Sequence, residues 1–469
     1  MKREYDLVII GRGAAAFSAA IKASEITSGQ ASIAMVGFGH LGGTCVNVGC
    51  VPSKYLIEAS KVLFGERNPR YPGIAPVAAV PNLKDLMGSL RDAVKGEREA
   101  KYEDVIKQYD NIDIMEGKAS FKDGNEISVS GNAHNIRGYN FIIATGSSTT
   151  VPDIEGLGEA AYLTSDNIWG LDDVPGRLAV IGGGAIGLEL GQALSRLGSE
   201  VHVVEALPTI LPQAEPEIST RLMESLTKEG IEFIMKARVS RVSTGKAIDI
   251  VTAEGRRELK VDAILMATGR APNVSGLNLE AAGVKYSRKG ISVDSNMRTS
   301  NPRIYAAGDV VDQRLMLETL AAREGVVAAT NIYEHANLSV NMMAIPWAVF
   351  TEPQLASVGF TEKEFTKANG GCSCRSLDLK SVPKARILRE ESGLFKIVVD
   401  PRNDMIAGVH VLSPYAAELI MEGVYGIQHG LTINDVLGSS HVFPTVSEGI
   451  KLTAQSFIRD ISKMSCCME

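Results

Sequence analysis

Mostly apolar runs, each closed by a glycine turn and followed by a small-residue stretch, set the pattern of this chain twice over. Tyr5 to Ile10 (YDLVII) carries no alternation and predicts a strand buried on both faces. Gly11-Arg12-Gly13-Ala14-Ala15-Ala16 follows, and small residues through Ala23 predict a helix. A second strand, Ser32 to Val36, ends at Gly37. The pattern returns at Arg177 to Ile181, then Gly182-Gly183-Gly184-Ala185-Ile186-Gly187, then a helix to about Leu197. Gly198-Ser199 stops that helix, and Val201 to Val204 forms the next strand, ending in Glu205. Strand, glycine turn, helix is the arrangement that aims a helix N-terminus at a pyrophosphate. The expectation is therefore two dinucleotide sites, on Gly11 and Gly13 and on Gly182, Gly184 and Gly187. Glu205 falls about twenty residues past its glycines, where a carboxylate accepts ribose hydroxyls and repels a 2′-phosphate. The first copy has Gly37 at that point, which weakens the ribose contact but not the fold.

Two similar pieces, Ile142-Ile143-Ala144-Thr145-Gly146 and Leu265-Met266-Ala267-Thr268-Gly269-Arg270, read as strands ending in turns and predict hinges between inserted domains. Ile304 to Asp309 (IYAAGD) is a further short strand whose Asp309 could bind a cofactor hydroxyl. From Pro346 the texture changes. Strand-like runs (Trp347–Phe350, Leu394–Val399, Ile406–Val411) precede helical ones (Tyr415–His429, Val446–Ile461), an α+β pattern. The predicted class is α/β, with two Rossmann-like dinucleotide-binding domains and a C-terminal α+β domain. The expected division is 1–150, 151–270, 271–345 and 346–469, the third segment completing the domain begun by the first. A length of 469 residues fits this, since about three cores is the soft expectation.

Composition is that of an ordinary globular chain, and a net charge of -7 without a basic block argues against nucleic acid as a partner. Lys2 and Arg3 precede an apolar run, but Asp6 and Arg12 interrupt it, so no cleaved signal is expected. No run of about 18 uncharged apolar residues predicts a membrane span. The cysteines fall into three couples: Cys45 with Cys50, Cys372 with Cys374, and Cys466 with Cys467. That clustering suits site chemistry in a cytoplasmic protein better than a secreted disulfide framework. Cys45 and Cys50 lie in GGTCVNVGCVPSK, just downstream of the first signature. If the segment opens a helix, both sulfurs fall on nearly one face, and the helix N-terminus favours a thiolate. The pair reads as redox-active rather than structural. Cys372 and Cys374 read as incidental rather than as a further metal site.

Together, GGTCVNVGCVPSK, GGGAIGLELGQ, ATGRAPN and IYAAGDV resemble the flavin disulfide reductases over essentially the whole chain. Within that family the chain is most similar to the mercuric reductases. The resemblance rests on the terminal Cys466-Cys467, on Ala100-Lys101-Tyr102-Glu103, and on the lack of histidine at Phe443. It implies FAD at the first signature, NADPH or NADH at the second, and Hg(II) as substrate. It assigns Gly11, Gly13, Ala14, Ala15, Gly43, Thr44, Lys54, Thr145, Gly146, Gly308 and Asp309 to cofactor binding, with Gly182, Gly184, Gly187, Glu205, Gly269 and Arg270. Cys50 is implied to be the flavin-side sulfur and Cys45 the outer one. Lys54 and Glu189 are implied to pair near the flavin, and Tyr102 to lie by the metal. A homodimer is implied, in which Cys466 and Cys467 reach Cys45 and Cys50 of the other subunit, with small thiols or a mercury carrier supplying the ion. The segment 346–469 would then be the dimerisation domain.

The chemistry agrees: Hg(II) is very soft and thiolates are the softest protein ligands. Relatives that reduce organic disulfides carry His-x-His-Pro; here His441-Val442-Phe443-Pro444 places a phenyl ring where a base would be, so His441 is expected to be structural. A dihydrolipoamide dehydrogenase-like reductase and a thiol-based mercury-sequestering protein are the competing readings. Glu205, with no arginine in Ala206-Leu207-Pro208-Thr209, predicts that NADH serves at least as well as NADPH.

Overall fold

The computed structural model describes residues 3–243, 247–313 and 315–464. Cys466 and Cys467 lie outside the described residues.

The first apolar run becomes the strand Glu4–Ile10, central in a sheet of seven strands among the described residues. It pairs in parallel with Ile33–Gly37 on one side (Leu7 opposite Ile33, Ile9 opposite Met35) and with Ile136–Ile143 on the other. Ile112–Glu116 extends one flank in parallel, and Ile304–Ala306 also pairs in parallel with Ile136–Ile143. Both faces of these strands are covered, Leu7, Ile9, Ile33 and Met35 by helices and Val8, Ile10, Ala34 and Val36 by strands and loops of 115–129 and 277–311, which is why the run shows no alternation. The small residues after Gly13 form the helix Ala14–Ile26, which packs on Glu318–Glu334 so closely that a Cβ on Gly325 would sit 2.2 Å from the Ala15 carbonyl oxygen.

The second signature builds a parallel sheet in the order Glu232–Met235, Glu200–Glu205, Arg177–Ile181, Ala263–Met266. An antiparallel meander, Arg238–Ser243, Ala247–Thr252 and Gly255–Lys260, stands beside it. Where the chain leaves the first sheet and where it returns, Ser147–Thr149 and Arg270–Pro272 pair as a two-stranded antiparallel ribbon. Both turns expected to be hinges run directly into that ribbon.

The last unit is a five-stranded antiparallel sheet, Trp347–Val349, Gln354–Gly359, Ile406–Ser413, Leu394–Val399 and Ser373–Asp378 in spatial order. Helices there are shorter than the apolar pattern predicts. The stretch 415–429 divides into Ala416–Leu419 and Met421–His429, and the last helix spans Glu448–Gln455. Lys396, on the Leu394–Val399 strand, is buried and reaches the second unit: its Nζ lies 3.0 Å from Glu215 and 2.7 Å from Glu217, and 2.7 Å from Glu362 of its own unit. Glu215 caps and Glu217 opens the helix Pro216–Lys228.

Candidate active site

The two cysteines do not share one helix, as their spacing suggested. Cys45 sits in the short helix Gly43–Val48, the chain breaks at Gly49 (φ -113°, ψ -107°), and Cys50 is the first residue of the helix Cys50–Arg67. A Cβ on Gly49 would meet the Thr44 carbonyl oxygen at 3.0 Å, so the break needs a residue without a side chain. The outcome is still convergence. Cys45 donates its thiol hydrogen toward Glu318 Oε2, and the two sulfurs and a Glu318 oxygen all lie within 4.8 Å of one another. The break also gives Cys50 its own helix N-terminus, where a negative sulfur is favoured.

The glycines ahead of Cys45 set its position. Gly42 has φ 88° and Gly43 φ 67°, and a Cβ on Gly43 would lie 2.6 Å from Gly13 Cα. A Cβ on Gly42 would press on the Tyr102 ring at 2.9 Å. The cysteine helix therefore nests directly on the first glycine turn, with Tyr102 beside it. Tyr102 lies in a π-helical turn, Glu99–Glu103, meets Phe17 edge-on at 4.9 Å, and donates to Glu318 Oε1 at 3.1 Å.

The two sulfurs are electrostatically unequal. Cys45, and then the nearby Lys54 ammonium, hold the Cys50 thiol below its usual range against the opposing pull of burial. Cys50, followed by burial and Glu318, pushes Cys45 well above its own. Of the two sulfurs, Cys50 ionises the more readily. Burial, then Glu318, pushes the Tyr102 hydroxyl above its usual range. Lys54 lies one turn beyond Cys50, binds Glu189 Oε2 at 2.8 Å and stands 4.5 Å from the centre of the Phe350 ring. Glu189 is 6% exposed, and its other oxygen accepts the Phe350 N–H at 2.9 Å.

Both glycine turns are shaped to take a pyrophosphate. Gly11 (φ 144°) and Gly182 (φ 113°) would each drive a Cβ into a carbonyl, of Ala144 at 2.1 Å and Ala267 at 2.3 Å. Gly13 and Gly184 cap the helices Ala14–Ile26 and Ala185–Leu197. A Cβ on Gly187 would lie 2.3 Å from the Gly182 oxygen, the close approach that Ala16 tolerates in the first copy. Buried Arg12 Nε and Glu324 Oε1 beside the first turn have no protein partner. Orphaned polar atoms next to a bare glycine cradle fit FAD there, and the second cradle fits NAD(P)H.

The structure also places residues where sequence alone did not. Glu205 uses both oxygens on backbone, accepting from Gly183 N–H and Leu207 N–H at 2.7 Å each. Arg270 grips Ser147 at the ribbon, and Asp309 accepts the Ser147 hydroxyl at 2.6 Å. Thr145 donates to the Asn273 carbonyl at 2.8 Å. Opposite Gly37, the neighbouring strand supplies Glu116, 2.7 Å from Arg12. Glu318 was missed altogether. The available signal was a carboxylate opening an alanine-rich helix, shortly after IYAAGDV.

At the other end of the chain, His441 pairs with Glu422 at 3.1 Å, a structural role as expected, and Phe443 is 51% exposed. Glu448 accepts the Thr445 N–H at 3.1 Å. Cys372 and Cys374 are joined as a disulfide at the start of the Ser373–Asp378 strand.

The model for the family described as pyridine nucleotide-disulphide oxidoreductase matches residues 5–325, and that of its dimerisation domain matches 345–454. The mercuric reductase of Staphylococcus aureus is 40% identical over 99% of this chain and 84% of its own length. That of Streptomyces lividans is 37% identical over 99% of this chain and 98% of its own length. Among solved structures, a Cu(II) complex of the HOCl-induced flavoprotein disulfide reductase RclA from Escherichia coli superposes with a TM-score of 0.85 at 25% identity, covering 98% of this chain and all of that one. Among the described residues, no helix is long and apolar enough to cross a membrane.

Proposed function

The chain belongs to the mercuric reductases of the pyridine nucleotide-disulphide oxidoreductase family, and from that premise we propose that it reduces Hg(II) to Hg(0) at Cys45 and Cys50 with electrons from NAD(P)H. FAD, when bound, accepts a hydride from the nicotinamide and supplies the two electrons that the metal takes. The protein's own part is to hold the ion on sulfur. Cys45 and Cys50 each displace one thiolate from the incoming mercury–thiolate complex, Cys50 being the readier to ionise and the Cys45 proton leaving with a departing thiol. Every step is exchange, so no bare ion forms. Neutral mercury has little affinity for thiolate and leaves.

The observation that carries the reading is a close pair of sulfurs, Cys45 and Cys50, with no imidazole to shuttle protons, since position 443 is Phe443. The chain carries the family's dimerisation domain. On our reading it forms a homodimer in the cytoplasm, divided at 1–150, 151–270, 271–345 and 346–469. Cys466 and Cys467 of one subunit hand Hg(II) from small thiols or a mercury carrier to Cys45 and Cys50 of the other, with Tyr102 beside the ion. Glu205 favours NADH at least as much as NADPH.

The test is an anaerobic assay of volatile Hg(0) with excess small thiol. Release should depend on NAD(P)H and collapse when Cys466 and Cys467 both become Ala. Lipoamide turnover that survives this change, without Hg(0), would overturn the proposal.

A further inference from the structure

We infer that Glu318 is a third metal-binding group at Cys45 and Cys50, so that the site also takes a borderline divalent cation such as Cd(II) or Zn(II), which blocks it. The inference builds on the reading of those cysteines as Hg(II) ligands and adds a residue to it.

Geometry is the first argument. Two sulfurs and a carboxylate oxygen within 4.8 Å of one another can touch a single ion, given metal–sulfur bonds of about 2.3 Å and metal–oxygen bonds of about 2.0–2.2 Å. Cys45 Sγ and Glu318 Oε2 are already in direct contact, so both ligand atoms face the same point. Orientation is the second. Ligating carboxylates are held from outside by a hydrogen bond on the free oxygen. Tyr102 provides one to Oε1 at 3.1 Å, and its ring is fixed edge-on against Phe17. Charge is the third. With both sulfurs ionised, three negative groups face one another beside Lys54, and a divalent ion among them removes the repulsion.

Ligand softness sets the consequence. Hg(II) is satisfied by two thiolates and gains little from an oxygen, whereas Zn(II)-like ions accept mixed sulfur and carboxylate sets. Binding forms two metal–sulfur bonds and one metal–oxygen bond and releases the Cys45 proton to water. No electrons move.

The experiment uses the NADPH-reduced holoenzyme, kept anaerobic, with Cys372, Cys374, Cys466 and Cys467 changed to Ser so that only the site sulfurs remain. Chelator-buffered Cd(II) is followed by equilibrium dialysis, and Hg(II) affinity is measured in parallel by thiol competition. Glu318→Gln and Tyr102→Phe should each weaken Cd(II) binding about 10–100-fold, with Hg(II) affinity changing far less. Glu318→Asp should recover part of the loss. Cd(II) binding indifferent to Glu318→Gln overturns the inference, as does an equal loss for both metals, which would mark a general distortion. Hg(0) release with Cd(II) binding that ignores Glu318 sinks this inference alone. Glu318-dependent Cd(II) binding, with no Hg(0) release from the parent enzyme that keeps Cys466 and Cys467, sinks only the functional reading.

Discussion

The two glycine-turn units share a plan and differ in how they finish it. In the nicotinamide-type unit everything comes from one short stretch: strand, turn, helix, and Glu205 at the end of the next strand, fastened back onto Gly183. The flavin-type unit is assembled from distant pieces. Its carboxylate, Glu116, comes from a third strand, its glycine turn supports the cysteine helix, and its first helix packs on Glu318–Glu334. A self-contained unit serves to bind and release a nucleotide. The dispersed one brings Cys45, Cys50, Tyr102 and Glu318 to a single point.

The sharpest way to break the comparison is to place a methyl in each turn. Gly11→Ala and Gly182→Ala both meet a carbonyl oxygen and a backbone angle that alanine avoids. Gly11→Ala should give protein that binds no flavin and loses activity by more than about 100-fold. Gly182→Ala should stay yellow yet accept electrons slowly from NAD(P)H, as read by flavin absorbance and stopped-flow reduction.

Next in size is a pH effect confined to the flavin-type unit. Burial pushes Glu324 up to about 7 from 4.5. A carboxyl raised by folding favours the neutral form, so its contribution is intact below the unfolded pKa and is lost as pH rises from 4.5 toward about 7. That loss is about 2–3 kcal/mol. Urea titrations at pH 5 and pH 8 should show Glu324→Gln gaining on the parent by this amount at the higher pH only.

A smaller effect concerns the sulfurs. Because Cys45, and then Lys54, hold Cys50 low, Cys45→Ala should move the pH midpoint of Cys50 alkylation by iodoacetamide upward. Adding Lys54→Met should move it further. An unchanged profile would refute Cys50 as the sulfur that ionises the more readily. Smallest are the strand-end carboxylates. Glu205→Ala should cut the NADH-over-NADPH preference about tenfold, about 1.4 kcal/mol. Glu116→Gln, removing an ion pair whose carboxylate side chain is 70% exposed, should change flavin affinity by less than about 1 kcal/mol.

What could be read from the chain divides along the same line. The nucleotide-binding core of the nicotinamide-type unit was legible, because its contacts are local: the strand Arg177–Ile181, its glycines and Glu205 lie within one short stretch, whereas the meander from Arg238 to Lys260 gave no signal. Cys45, Cys50 and the Lys54–Glu189 pair were legible through motif and resemblance. The break at Gly49 was not, since spacing alone cannot distinguish one helix from two joined by an abrupt turn. Glu318 was not, because only the packing of Ala14–Ile26 on Glu318–Glu334 brings a residue 273 positions away to Cys45. The small residues advertised a close helix contact but not its partner.

Lys396 has a consequence of its own. An ammonium enclosed by Glu215, Glu217 and Glu362 is sheltered from dissolved counter-ions, so brine strong enough to dissolve surface pairs should leave the seam intact. If the nucleotide-carrying lobe rocks away from the last sheet, the buried cation loses Glu215 and Glu217 and keeps only Glu362, at a cost of a few kcal/mol. Any swing it makes during turnover must therefore take the sheet along as ballast.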